Sequence, residues 1–424
     1  MFDSLAHDGA KRPGTREMTA LLAGLMALNA FAIDAMIPAL PAIGRSLDVT
    51  QENHRQRVVV AYMMGFGSTQ LLWGPLADRF GRKPVLAAGI ALYAAFAMLC
   101  GIAGSFALLI AGRVAMGESA AVTRVLVVAM VRDLFEAEAM ARVMSLVFMV
   151  FMLVPVLAPL IGQAILLFAP WRAIFVVLAL YALIMLAWSH VRLPETLHPE
   201  YRRSLAWRDI AGAAWATIRE PQSRGYTLAL TVTFGGLVAY ISSVQQIVFD
   251  AFEAPNAIGL VFAAVAAPMA LASWTNSKIV GRYGLRRVGH GGALGFAVVT
   301  TVHAGIATAG AETLPIFIVF QGLAMACFAF TSANLGTLAM DHMGPIAGTA
   351  SSIQGVVGTI GGALIGLVIG QAFDGTARPF LWGVAACALI AFVMVLVTEP
   401  KRLFAGVGQP DQAKHNQPAR PPEI

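Results

Sequence analysis

The stretch Gly74-Pro75-Leu76-Ala77-Asp78-Arg79-Phe80-Gly81-Arg82-Lys83-Pro84-Val85-Leu86 sets a cluster of charges between two long apolar runs. Gly81 admits a tight turn there, and Gly74 lets a second helix come close. Arg79, Arg82 and Lys83 hold such a turn at a membrane surface, while Asp78 suits the N-terminus of a neighbouring helix. A second basic, glycine-containing turn, Arg282-Tyr283-Gly284-Leu285-Arg286-Arg287, closes a later apolar run. The two turns stand at the same place in two six-span units, which predicts a duplicated bundle with a substrate site between its halves.

Outward from these turns, composition sets the class. The chain has 424 residues, 58% of them hydrophobic and only 12% charged, with a mean hydropathy of +0.73. A soluble domain carries about 25% charged residues. Apolar runs long enough to span a bilayer recur from end to end. Twelve are expected, near 18–43, 56–77, 84–104, 106–129, 141–168, 171–192, 225–249, 257–279, 288–310, 313–337, 345–372 and 378–398. The expected divisions are an N-terminal arm (1–17), a six-helix bundle (18–192), a linker (193–224), a second six-helix bundle (225–398) and a polar tail (399–424).

Lys and Arg collect in the two terminal segments, the linker and every second loop. The intervening loops hold only Arg45, Arg55, Arg57, Arg172 and Arg378. That asymmetry predicts both termini in the cytoplasm. The net charge of +6 follows this topology and does not form a nucleic-acid-binding face. Cys100, Cys327 and Cys387 all lie within apolar runs, far apart, and offer neither a disulfide framework nor a metal site. No phosphate-binding Gly-x-x-x-x-Gly-Lys loop occurs, and no nucleophile–base pair or metal-ligand spacing points to an enzyme or a cofactor. No cleavable signal is evident.

The first span carries Phe31-Ala32-Ile33-Asp34-Ala35-Met36-Ile37-Pro38-Ala39-Leu40-Pro41. A carboxylate in such a run costs several kcal/mol or more unless it is paired or wet, and it marks a functional site by default. Asp34 is either permanently paired or faces a water-filled cavity and changes protonation. Pro38 and Pro41 remove backbone donors and loosen the helix beyond it. Arg113, in the fourth span, is a second intramembrane charge. Near Asp34 it would favour the ionised carboxylate while burial opposed it. Glu118 is a third, about 140° round the helix from Arg113, either a second protonatable group, a cation-binding acid or a partner for Arg124.

The Gly74–Leu86 stretch resembles the signature loop of the major facilitator superfamily. The resemblance implies an all-α membrane protein of twelve transmembrane helices in two six-helix bundles. It also implies a conformational latch on the inner face, built from Gly74, Asp78, Arg79, Gly81 and Arg82 with Asp133 at the inner end of the fourth span. Asp34, Pro38, Ala39, Leu40 and Pro41 are similar to the first span of drug/proton antiporters of the Bcr/CflA group, which includes chloramphenicol and florfenicol exporters. There the pattern is Thr-Asp-Met-Tyr-Leu-Pro-Ala-Leu-Pro, and Ile33 and Met36 depart from it. Arg132-Asp133-Leu134, Leu193-Pro194-Glu195-Thr196-Leu197, Asn276, Gly348-Thr349-Ala350-Ser351 and Phe373-Asp374-Gly375-Thr376 also resemble that group. Pro155, Pro159 and Gly162 resemble the antiporter motif of the fifth helix, with Ala158 and Gln163 replacing two of its glycines. A kinked helix with small residues packing against the facing half is the physical expectation.

Tyr62, Tyr240, Gln245, Phe330 and Asn334 lie on spans that line the cavity in this fold, and with Asp34 they are the expected substrate contacts. The function implied is proton-coupled multidrug efflux, by antiport and alternating access, from a monomer in a bacterial inner membrane. Its partners are a small-molecule substrate, protons and the lipid bilayer. The alternatives are a proton-coupled exporter of a metabolite or amino acid, and a non-transporting receptor of the same fold. Asp34 would be dispensable only in the receptor.

Overall fold

The computed structural model describes residues 14–135, 143, 154, 157–197, 212, 215–343 and 346–405. In chain order its helices are α1 Thr15–Asp34, α2 Leu40–Ser46, α3 Arg57–Phe80, α4 Arg82–Gly101 and α5 Phe106–Leu134, then α6 Leu157–Phe168 and α7 Arg172–Arg192. The second set is α8 Pro221–Gln246, α9 Ile258–Tyr283, α10 Leu285–Thr308, α11 Leu314–Met340, α12 Ala347–Gln371 and α13 Arg378–Thr398. Pro155 lies outside the described residues, as do most of the linker, the tail from 406 and the arm up to 13.

Among the described residues, ten stretches are long and apolar enough to cross a bilayer. The fifth expected span is represented by α6. The second is α3, which falls short on hydropathy because Gly65, Gly67, Ser68, Thr69 and Gln70 occupy its middle. Those small and polar residues suit a helix packed between α5 and α12 instead of lipid. Helix α8 begins four residues before the expected limit. Pro221 takes the first helical position, and the Glu220 carboxylate accepts from the Ser223 N–H as the cap.

Two apolar cores form. One gathers residues from Met18 to Leu193, and the other residues from Ala239 to Ala388, so each half folds around its own interior. Ile37 is the exception: it follows α1 yet is sealed in the core of the second half. Close packing of this side chain makes the end of the first span a peg between the halves. Beside it Val59, Val60 and Met63 of α3 pack on Val238 of α8 and Ala363 of α12.

The peg exists because the first span is not continuous. Helix α1 stops at Asp34, a short 3-10 turn covers Ile37–Ala39, and α2 resumes at Leu40. Pro38 has no N–H to offer the Asp34 carbonyl, and Pro41 none to offer Ile37. The helical ladder therefore fails twice in four residues, and the chain turns toward the other half.

Candidate transport site

Asp34 sits at this break. It is 2% exposed, and its Oδ1 has no hydrogen-bond partner among the described residues. Gly162 of α6 closes one side: a Cβ there would stand 2.2 Å from the Ala35 carbonyl oxygen, so only glycine allows the contact. The small residue therefore packs on its own half, not on the facing half as the sequence suggested. Contact with the other half comes from Leu160 and Gln163, which lie against Gly259 of α9. Pro159 is buried in the same turn of α6.

Arg113 does not pair with Asp34. Its Nε donates to the Val58 carbonyl at 3.0 Å and its Nη1 to the Ala32 carbonyl at 3.1 Å. The guanidinium also lies 4.5 Å from the centre of the Tyr62 ring, a cation–π contact that desolvation strengthens. Arg113 is thus a fully buried clamp that joins α1, α3 and α5 through backbone oxygens. The Tyr62 hydroxyl donates to Asn29 at 3.1 Å, and Asn29 donates to Thr123 at 2.7 Å. Tyr62 therefore spends both its ring and its hydroxyl inside the first half.

Across the seam, the last turns of α8 present polar atoms with no partner among the described residues. They are the Tyr240 hydroxyl, the Ser242 and Ser243 hydroxyls, and both amide atoms of Gln245. All four side chains are buried, and α8 meets the 3-10 turn that follows Asp34. Buried polar groups are normally satisfied, so a concentration of unsatisfied ones marks a place where a ligand or water belongs. Asn334 behaves differently, since its amide donates to Asn276 of α9 and to the Phe330 carbonyl, both at 2.7 Å. It ties α11 to α9. Phe330 packs by its Cβ against Gly292 of α10. Glu118 is half-buried; its carbonyl accepts from Thr69 and Trp73, and among the described residues its carboxylate has no ion pair with Arg124.

At the basic face the signature loop forms a closed circuit. Arg82 is 5% exposed and pairs with Asp133 at 2.6 Å and Asp78 at 3.2 Å. Gly81 has φ 101°, open to glycine alone without strain, and it starts α4. The first two N–H groups of α4, Arg82 and Lys83, donate to Glu195 at 2.9 and 3.2 Å. Glu195, from the segment after α7, therefore takes the helix N-terminus that the sequence assigned to Asp78. The sharp turn instead brings Asp78 onto Arg82. Arg79 lies over the Phe80 ring, and Gly74 has Val125 of α5 as its near neighbour. Every partner in this circuit belongs to the first half.

The opposite face is where the halves are fastened. Gln56 donates to Gln246 and to the Gly370 carbonyl. Asn53 donates to the Gln371 carbonyl at 3.1 Å and the Phe373 carbonyl at 2.9 Å. The Gln371 amide returns a bond to the Asn53 carbonyl at 2.6 Å, and Gln246 donates to Asn53 at 3.0 Å. Deeper in the membrane Gln70 donates to Thr359. Sequence reasoning missed this amide clasp. Its only signal was a set of uncharged polar residues at span ends, which looks the same as ordinary interfacial polarity.

A peg, a broken first helix and two turn-linked bundles joined by a seam define one architecture, and comparison agrees. The model of the Major Facilitator Superfamily matches residues 22–252. The chain belongs to that superfamily. This facilitator is 31% identical over 373 residues to a bicyclomycin resistance protein homolog of Haemophilus influenzae, covering 87% of the chain and 92% of the relative. That places it in the Bcr/CflA-type branch. It is 27% identical over 396 residues to the multidrug resistance protein MdtL of Klebsiella pneumoniae, covering 89% and 95%. Among solved structures it resembles the human organic anion transporter MFSD10 (TETRAN), with a TM-score of 0.66 over 91% of this chain and 100% of that one. At 18% identity that likeness speaks for the fold alone. The facilitator is a multi-pass membrane transporter for a small molecule.

Proposed function

We propose that this facilitator exports small amphipathic drugs in exchange for protons, with Asp34 as the proton carrier. The carrying observation is a carboxyl that is sealed, without a partner among the described residues, and placed at a helix break on the seam between the halves. A carboxyl without a counter-charge in a dry place is accommodated by holding a proton. Opening the clasped face would wet it and let the proton change places with substrate. The unsatisfied groups of Tyr240 and Gln245 supply contacts for the compound, and Arg113 holds the neighbouring backbone in register. The drug class comes from the names of the relatives, bicyclomycin resistance and multidrug resistance.

The orientation follows the Lys and Arg distribution, with the basic face and both termini in the cytoplasm. The clasped state is then the inward-facing one. The Asp78–Arg82–Asp133 circuit is the latch, engaged across the halves in the outward-facing state. Asp34→Asn is expected to abolish proton-coupled efflux with expression intact. The measurement is proton release on adding chloramphenicol-like compounds to purified protein, together with drug resistance of cells expressing the variant. Retained resistance in Asp34→Asn cells would contradict the reading.

A further inference from the structure

Two arginines share one face of α5. Arg113 and Arg124 are eleven residues apart, about three turns at 3.6 residues per turn, so both side chains leave the helix in nearly the same direction, about 16 Å apart along its axis. Arg113 shows what that direction is. Its bonds to Ala32 and Val58 place it in the groove between α1 and α3. Those two helices also carry contacts with the second half, through Ile37 and through the α3–α12 seam. At Arg113 the shared face of α5 therefore packs on α1 and α3, the first-half elements that border the second half, and not on lipid.

The groove is shut at one arginine and open at the other. Arg113 is 0% exposed. Arg124 is solvent-exposed on the same side of the helix. Val128, one turn further toward the basic face, is exposed as well. Among the described residues no hydrogen bond, ion pair or ring contact engages Arg124. Glu118, six residues earlier on the same helix, points about 120° away. Arg124 is thus a permanent charge in a membrane span whose hydrogen-bonding fork has no partner among the described residues.

We propose that Arg124 is the anchoring cation of the substrate pathway, and that the preferred cargo is an amphipathic compound carrying a carboxylate beside its apolar body. A guanidinium cannot discharge itself by losing a proton, so in this position it needs an anion or water. A carboxylate matches its two parallel donors and displaces that water with charge-assisted bonds. The step deepens the export reading and rests on it for the direction of transport. The binding site itself stands on geometry alone.

The test uses three probes with one apolar body: naphthaleneacetate, the neutral naphthaleneacetamide and the cationic naphthylmethylamine. Equilibrium binding to the full-length purified protein is read for the wild type, Arg124→Gln and Arg124→Lys. The wild type is expected to prefer the acetate to the amide by about ten-fold, and to bind the amine most weakly. Arg124→Gln should bring the acetate-to-amide ratio to about one, and Arg124→Lys should keep a reduced preference. A ratio does not depend on how much of each preparation is folded. Equal binding of acetate and amide by the wild type, undetectable acetate binding, or an unchanged ratio in Arg124→Gln overturns the proposal. Proton release in Asp34→Asn is read separately, so a failed export mechanism remains distinguishable from a failed anion site.

Discussion

The turns at Gly81 and Gly284 share a backbone and differ in chemistry. Their φ angles are 101° and 85° with ψ near 150° in both, and each starts the next helix. Three residues before the first glycine stands Asp78, and three before the second stands Gly281. The residue after the first is Arg82; after the second it is Leu285. In the second half the charge is carried one place later, by Arg286, which binds Glu399 through two bonds of 2.6 and 2.9 Å. Glu399 also accepts from the Tyr226 hydroxyl at 2.8 Å. Burial alone would push the Glu399 carboxyl up, but the bonds from Arg286 and Tyr226 hold it below its usual range.

The second circuit continues into a strap. The Phe404 N–H donates to His290 Nδ1 at 3.2 Å, so the ring proton is on Nε2, which lies 3.0 Å from the Tyr226 oxygen. Hydrogen-bond polarity then runs one way, from Phe404 through His290 and Tyr226 to Glu399, and the segment after α13 closes the circuit covalently. Among the described residues the first half is strapped differently, by Glu195 on the N–H groups of Arg82 and Lys83 and by the Thr196 hydroxyl on Asp133 at 3.3 Å, with no relay through a buried side chain. Its Asp78 side chain is 41% exposed, an acid left available for another partner. One loop is built to stay shut, and the other keeps a hand free.

The sharpest way to break this comparison is to cut each circuit at its arginine. Arg286→Leu takes from the largely buried Glu399 carboxylate the guanidinium that holds it by two bonds, and is expected to lower stability on the order of 3 kcal/mol. Thermal unfolding in detergent would show it, with turnover per folded molecule holding. Arg82→Ala is expected instead to slow transport by about ten-fold, the effect of a bias of about 1.4 kcal/mol between two states. The set of compounds bound should not change. If Arg286→Leu slowed cycling as much as Arg82→Ala, the second loop would be a moving part too.

A pH series sharpens the static side. A carboxyl held below its unfolded value, about 4.3 for glutamate, contributes stability that is fully present above that value. The contribution is lost as pH falls through the folded value. Glu399→Gln should therefore unfold earlier than the wild type near neutral pH, by about 1–2 kcal/mol. The gap should narrow as pH drops below about 4. A gap independent of pH would mean that packing around Tyr226, and not charge, holds the strap.

Sequence carried the architecture further than the site. Span length, the basic turns and the alternation of Lys and Arg are local signals, and they placed the described helices to within a few residues, the start of the fifth span lying outside the described residues. Asp34 and the two prolines also told their story locally, because a missing N–H breaks a ladder four residues back. What failed was partnership. Arg113 was expected beside Asp34 but is anchored on carbonyl oxygens of Ala32 and Val58, groups that every residue carries and no pattern reveals. Glu195 caps a helix that begins more than a hundred residues earlier. The clasp of Asn53, Gln56, Gln246 and Gln371 is uncharged, so it left no trace in the charge map.

The smallest stability effect should come from Asp78→Asn, and it is the most informative. An exposed ion pair contributes about 0–1 kcal/mol, and Arg82 keeps its 2.6 Å contact with Asp133 in either case. The melting temperature should barely move. A free hand that grips the other half only in the outward-facing state would nevertheless be missed there. The variant should therefore rest more in the clasped state and turn over more slowly. The population can be read from the labelling rate of a cysteine introduced at Val59, which is buried in the seam one turn from Gln56 of the clasp and is uncovered only when that face opens. Slower turnover with unchanged melting and slower labelling would assign Asp78 to the switch. Unchanged turnover would reduce it to a surface charge like any other, and the contrast between the two loops would then rest on the strap alone.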